Sequence, residues 1–218
     1  MNFRILFFCM LCLFSLSGFA EKSSYIFVFL NSRTDKPELP KDELDKLMEG
    51  HLANINRLAE EGKLLAAGPF NNGGGIFIFN STSIEEVTEW LSTDPGIRAN
   101  RWKIETLHYT PRHGGVCPVD TGYTMVEYRF VRYTSNITKF NVQQGPKTFK
   151  AHDDYLKQII STGNVITEGI FDNDDGGILV MDGDLNKEVI MNDPAVKEQF
   201  LLVDFKDLWI AKGSFCEK

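Results

Sequence analysis

His51-Leu52-Ala53-Asn54-Ile55, continuing through Gly62-Lys63-Leu64-Leu65-Ala66-Ala67-Gly68-Pro69-Phe70 and a glycine cluster ending at Gly75 to Asp94-Pro95, is a stretch that the chain writes twice. Its second version opens on His152-Asp153-Asp154-Tyr155-Leu156. It then runs through Gly163-Asn164-Val165-Ile166-Thr167-Glu168-Gly169-Ile170-Phe171 and Gly176-Gly177 to Asp193-Pro194. From the His to the first Gly is 11 positions in both copies, and from that Gly to the next is 6 in both. The His-to-Asp interval is 43 in the first copy and 41 in the second. Self-similarity of this kind reveals architecture before any residue propensity does.

Working outward, each copy carries the same order of elements. Tyr25 to Leu30 is a β-rich run. Lys41 to Glu61 sets Leu44, Leu47, Met48, Leu52, Ile55 and Leu58 on one helical stripe, with Gly62 at the expected stop. Leu64 to Ala67 and Ile76 to Phe79 read as strands across a glycine-bearing connection. Ser83 can cap a helix with Glu86 three residues on, and Ile104 to Tyr109 makes a last strand. The second copy repeats this βαββαβ order with Tyr123 to Tyr133, Thr148 to Thr162, Val165 to Ile170, Ile178 to Met181, a short helix near Leu185 to Met191, and Phe200 to Ala211.

A split βαβ unit of this type is a ferredoxin-like sandwich, four antiparallel strands with both helices on one face. Two units in one chain can bury their bare sheet faces against each other, at roughly 25 cal/mol per Å² of apolar surface. The fold class is therefore α+β, two ferredoxin-like domains pairing as an intramolecular dimeric α/β barrel. The expected division is a leader over 1–20, a first domain over 21–111, a linker over 112–122 and a second domain over 123–218.

The leader reading rests on Arg4, the unbroken apolar run Ile5 to Phe14, and the small residues of Gly18-Phe19-Ala20. That run is too short to span a bilayer comfortably, so a secreted or periplasmic protein is expected. Cys9 and Cys12 fall inside the leader. Cys117 and Cys216 remain, an even count in an oxidising compartment, and one disulfide between them is the simplest reading, with two buried free thiols as the alternative. Lys and Arg number 23 against 30 Asp and Glu, for a net charge of −7. An acidic chain is a poor partner for nucleic acid. Its charges are scattered apart from short clusters such as Asp172 to Asp175, which gives a membrane surface little to hold.

His51 follows Leu47 by four residues and precedes Ile55 by four, and His152 precedes Leu156 by four, so both rings fall on the apolar side of their helices. One reading is a pair of core histidines bonded to nearby backbone. The other joins each His to its Asp, His51 with Asp94 and His152 with Asp193. A carboxylate on one imidazole nitrogen fixes the tautomer and raises the basicity of the other, as a general base requires. No Ser, Cys or Lys stands beside the pair as a nucleophile, so the chemistry suggested is proton transfer. Gly73-Gly74-Gly75 precedes a strand and is no phosphate loop. His108 and His113 lack metal-ligand spacing. Trp90, Trp102 and Trp209 are read as core or pocket wall.

These residues resemble the YCII-related (YciI) family: His51-Leu52-Ala53, Leu64-Leu65-Ala66-Ala67-Gly68-Pro69 and Asp94-Pro95 carry the likeness over Tyr25 to Tyr109, and more loosely over Tyr123 to Ala211. The resemblance implies small ferredoxin-like domains that pair into dimeric α/β barrels, near muconolactone isomerases. It also implies active-site roles for His51, Asp94, His152 and Asp193, and a similar dehydrochlorinase of chlorinated-aromatic breakdown uses such a dyad. Some dimeric α/β barrels bind haem, but only the helical histidines speak for it here, and no cofactor or metal is expected. This chain departs from the family in its leader and tandem fusion, and in Ile170 where the first copy has Pro69. Gly96 stands where the family often has an aromatic residue, so the first pocket is expected to be the more open. Two functions follow: a small-molecule lyase or isomerase, or a non-catalytic binding module for a small ligand. The assembly expected is a monomeric pseudo-dimer or a homo-oligomer.

Overall fold

The computed structural model describes residues 24–119, 122–139, 141–172, 176–184 and 186–216. The expected leader over 1–20 lies outside these residues. In the first half, β1 (Tyr25–Ser32), β2 (Leu64–Pro69), β3 (Gly75–Phe79) and β4 (Trp102–His113) carry the helices α1 (Lys41–Glu60), α2 (Ile84–Leu91) and α3 (Pro95–Arg98). A two-residue strand, β5 (Gly115–Val116), follows. In the second half, β6 (Met125–Ser135), β7 (Val165–Phe171), β8 (Gly177–Met181) and β9 (Leu201–Ala211) carry α4 (Gly145–Ile160), α5 (Lys187–Met191) and α6 (Pro194–Lys197), before β10 (Phe215–Cys216).

The strand order β2-β3-β1-β4-β7-β8-β6-β9 joins two ferredoxin-like sheets edge to edge. Along this seam β4 pairs with β7 from Tyr109↔Phe171 to His113↔Glu168. At the other seam a single bridge, Phe70↔Leu208, and the bond from Asn71 N to Asp207 O bring β2 against β9 and nearly close the barrel. The difference between seams has a local cause. Ile170 pairs with Thr110 in the first, whereas its counterpart in the second is Pro69, which has no N–H to give a ladder.

Strand alternation explains why the central strands are buried on both faces. On β1, Ile26, Val28 and Leu30 meet α1 and α2, while Phe27 and Phe29 point to the barrel interior. Phe130, Phe171, Ile178 and Leu208 reach the same interior from the second half. Phe27 and Phe29 stand edge-on to Phe171 at ring distances of 5.5 and 5.8 Å. Burial of each such ring is worth about 1.5–3 kcal/mol. A polar pair also crosses between halves, with Arg132 holding Glu105 through two bonds of 2.8 and 2.6 Å.

Three expectations are corrected. The last strand of the first half does not end at Tyr109 or at the boundary of 111; it continues to His113, because its far end is the partner of β7. On α1 the buried residues are His51, Asn54 and Leu58, while Leu52 is 58% exposed, so the inward face is turned from the apolar stripe toward the His. Trp209 is likewise no wall, being 48% exposed on β9.

Gly68 and Gly169, equivalent in the repeat, sit one at each seam. A Cβ on Gly68 would lie 2.6 Å from Trp209 O, and one on Gly169 would lie 2.6 Å from Thr110 O and from the Tyr109 ring. Gly68→Ala and Gly169→Ala are each expected to lower stability by about 1–3 kcal/mol through this overpacking, read by urea denaturation. Cys117 and Cys216 form the disulfide, tying the start of the second half to its end across 99 residues beside the β5 and β10 pair. A loop of that length gives a large constraint on the unfolded chain, so Cys117→Ser with Cys216→Ser should cost about 2–4 kcal/mol and lower the melting temperature accordingly.

Candidate functional site

Each Asp-Pro begins a one-turn helix of its own. Asp94 caps α3, with Pro95 in its first turn, and its Oδ1 accepts from Gly96 N at 2.8 Å and Ile97 N at 3.0 Å. Asp193 caps α6 and accepts from Ala195 N at 2.8 Å. The backbone thus fixes one carboxylate oxygen of each and leaves the other for the histidine on the long helix. His51 Nδ1 lies 2.8 Å from Asp94 Oδ2, and His152 Nδ1 lies 2.6 Å from Asp193 Oδ2. Both carboxylates are buried, at 1% and 0% exposure. With the carboxylate accepting, a ring proton sits on Nδ1, and Nε2 is the nitrogen turned away from the Asp. The same bonds staple α1 to α3 and α4 to α6.

The two dyads differ in what stands beside them. His51 is packed against the Trp102 ring at 4.8 Å and the Phe77 ring at 6.0 Å. Gly96 does not open this site: a Cβ there would meet the Trp102 ring at 2.6 Å, so the glycine makes room for the indole that covers the His. Strand register sets Trp102 opposite Ser32 and its counterpart Leu201 opposite Ser135. The smaller Leu201 leaves a cavity of about 200 Å³ that His152 lines, together with Tyr133, Phe149, Ile178 and the ion pair of Arg112 and Glu168. A larger cavity, about 330 Å³, lies between Ile55, Leu65 and Tyr123; it is mostly apolar and touches neither dyad.

Sequence reasoning passed over three residues of the His152 cavity. Arg112, near the end of β4, grips the buried Glu168 through Nε at 3.0 Å and Nη2 at 2.6 Å, and reaches Asp153 through Nη1 at 2.7 Å. These carboxylates hold the Arg112 pKa above its ordinary value although burial opposes them. Tyr133 stands edge-on to the His152 ring at 5.3 Å, and its hydroxyl is buried without a hydrogen-bond partner. Burial first, then the charges of Asp193 and Glu168, push the Tyr133 phenol pKa up, so it remains protonated. The repeat held a signal for two of them: Glu168 aligns with Ala67, and Tyr133 with Leu30.

His113 Nε2 lies 3.2 Å from Val165 O, and among the described residues no group of three or more His, Cys, Asp or Glu could hold a metal ion. The cavity falls below the ~300–1,000 Å³ of pockets for drug-sized ligands, and a haem macrocycle exceeds it; His152 is not read as an axial ligand.

Two edge-joined ferredoxin-like sheets with helices outside define a dimeric α/β barrel contained in one chain. Within it, residues 26–107 match the YCII-related domain. Among solved structures the chain is similar to a mutant chlorite dismutase from Candidatus Nitrospira defluvii in complex with cyanide, at 8% identity and a TM-score of 0.51, covering 86% of this chain and 91% of that one. It is also similar to chlorite dismutase from the same organism in complex with imidazole, at 12% identity and a TM-score of 0.50, covering 89% and 93%. These likenesses concern the fold. No curated protein sequence matches the chain significantly.

Because each Asp staples a helix as well as its His, Asp94→Ala and Asp193→Ala should both destabilise the protein by about 2 kcal/mol or more through lost cap and buried hydrogen bonds. Thermal denaturation should show a drop of several degrees for either variant.

Proposed function

We propose that this chain is a small-molecule lyase or isomerase that moves a proton at the His152–Asp193 dyad. The observation that carries the reading is a histidine whose Nδ1 is held at 2.6 Å by a buried carboxylate while its ring lines a cavity. Asp193 orients the ring and sets the tautomer, and Nε2 is then the nitrogen free to take a proton from carbon. The cavity volume and the walls of Phe149, Leu156 and Leu201 suit a cyclic or aromatic substrate. His51 and Asp94 form the same pair with the ring packed against Trp102 and Phe77, and we assign them a structural part.

Export is part of the same proposal. The Cys117–Cys216 bond fits an oxidising compartment, and no described helix is long and apolar enough to cross a membrane. The second reading, a binding module without catalysis, is favoured by the first-half dyad: a His–Asp staple persists there with its ring packed against the Trp102 indole.

A metabolite thermal-shift screen on the wild type, His51→Ala and His152→Ala separates these ideas, since a ligand of the native state raises its stability. Ligand-induced shifts should survive His51→Ala and vanish in His152→Ala. Loss of the shifts in His51→Ala alone would place the site in the wrong half. Hits that bind the wild type but undergo neither elimination nor isomerisation, and exchange no carbon-bound hydrogen with deuterium oxide, would support the binding module instead.

A further inference from the structure

The cavity beside His152 holds a second polar group that the dyad does not use. Tyr133 is 2% exposed, lines the cavity, and leaves a buried hydroxyl without a hydrogen-bond partner. A buried hydroxyl in that condition forgoes a hydrogen bond, and a ligand oxygen in the cavity would recover it. The charged residues facing the same space argue about ligand charge. Arg112 has its guanidinium occupied by Glu168 and Asp153, so one cation stands against two carboxylates, with Asp193 behind the His152 ring. A ligand carboxylate would find no free cation and two like charges.

Resting on the proton-transfer reading of this site, we infer that the cavity takes an uncharged, single-ring carbonyl or enol compound whose oxygen is held by the Tyr133 hydroxyl. When His152 Nε2 takes a proton from the carbon next to that carbonyl, the C–H bond breaks and an N–H bond forms. The electron pair moves into a new C–C double bond, and the carbonyl π pair moves onto oxygen. The Tyr133 O–H hydrogen bond then meets the developing oxyanion, an arrangement that strengthens as charge builds. The proton returns to the same carbon or to another position of the extended enolate, so no further reactant is required. The first half cannot do this, since Leu30 stands where the second half has Tyr133.

The test uses the full chain labelled with [13C-ζ]tyrosine, Tyr133 being assigned by its disappearance in Tyr133→Phe, and titrated with cyclohex-2-enone and with benzoate. The enone should move the Tyr133 signal saturably, and benzoate should bind at least about tenfold more weakly. Tyr133→Phe should keep its melting temperature and weaken the enone by about tenfold, the equivalent of 1.4 kcal/mol. Benzoate binding as tightly as the enone, an unmoved Tyr133 signal, or undiminished enone affinity in Tyr133→Phe overturns the inference. Deuterium exchange at the enone carbons is followed in the same samples. Binding without exchange leaves the Tyr133 assignment standing and removes the proton-transfer reading, so the two fail separately.

Discussion

Everything in this molecule depends on a single layer of apolar side chains packed between two sheet faces. A lone ferredoxin-like unit covers one face of its sheet with helices and leaves the other bare. Here Phe27 and Phe29 from one half and Phe130 and Phe171 from the other fill the space between the bare faces. The demand for close approach explains the seam glycines, Gly68 and Gly169, which recur in the repeat for a reason that has nothing to do with chemistry. It also explains why β4 outruns its own domain: a strand that pairs across the seam must reach the other half. Arg112, on that overrun, brings a first-half cation to the second-half cavity.

Duplication then gave the molecule two copies of one helix staple and let their surroundings diverge. In both copies the Asp caps a short helix and holds a His on the long one. Trp102 fills the first site with its indole, while Leu201 leaves the second with room and a lining of Tyr133, Glu168 and Arg112. The cavity that His152 lines thus lies wholly outside the residues that match the family model. Exposure alone would not have shown it, since His51 and His152 are equally buried at 7% and 8%.

Much of the fold was legible because repetition, strand alternation and helix stops are written locally. The glycine spacing, the Ser83 cap on Glu86 N and the βαββαβ order all follow from neighbours in sequence. The pairing of each His with its Asp was readable too, from the matched intervals, although not that each Asp holds its place by capping a short helix. What stayed hidden depends on register between distant strands. Gly96 read as an opening because its partner, Trp102, is brought to it by the β1 and β4 ladder. Tyr133 and Glu168 read as ordinary strand residues until the sheet set them beside His152.

The central claim is that one dyad of the two serves a ligand. Selective 15N labelling of the histidine rings, with signals assigned by His51→Ala and His152→Ala, tests it most directly during titration with cyclohex-2-enone. The account predicts that both rings carry the proton on Nδ1 and that only the His152 Nε2 signal moves with the ligand. A response at His51 Nε2 with His152 unmoved would contradict it.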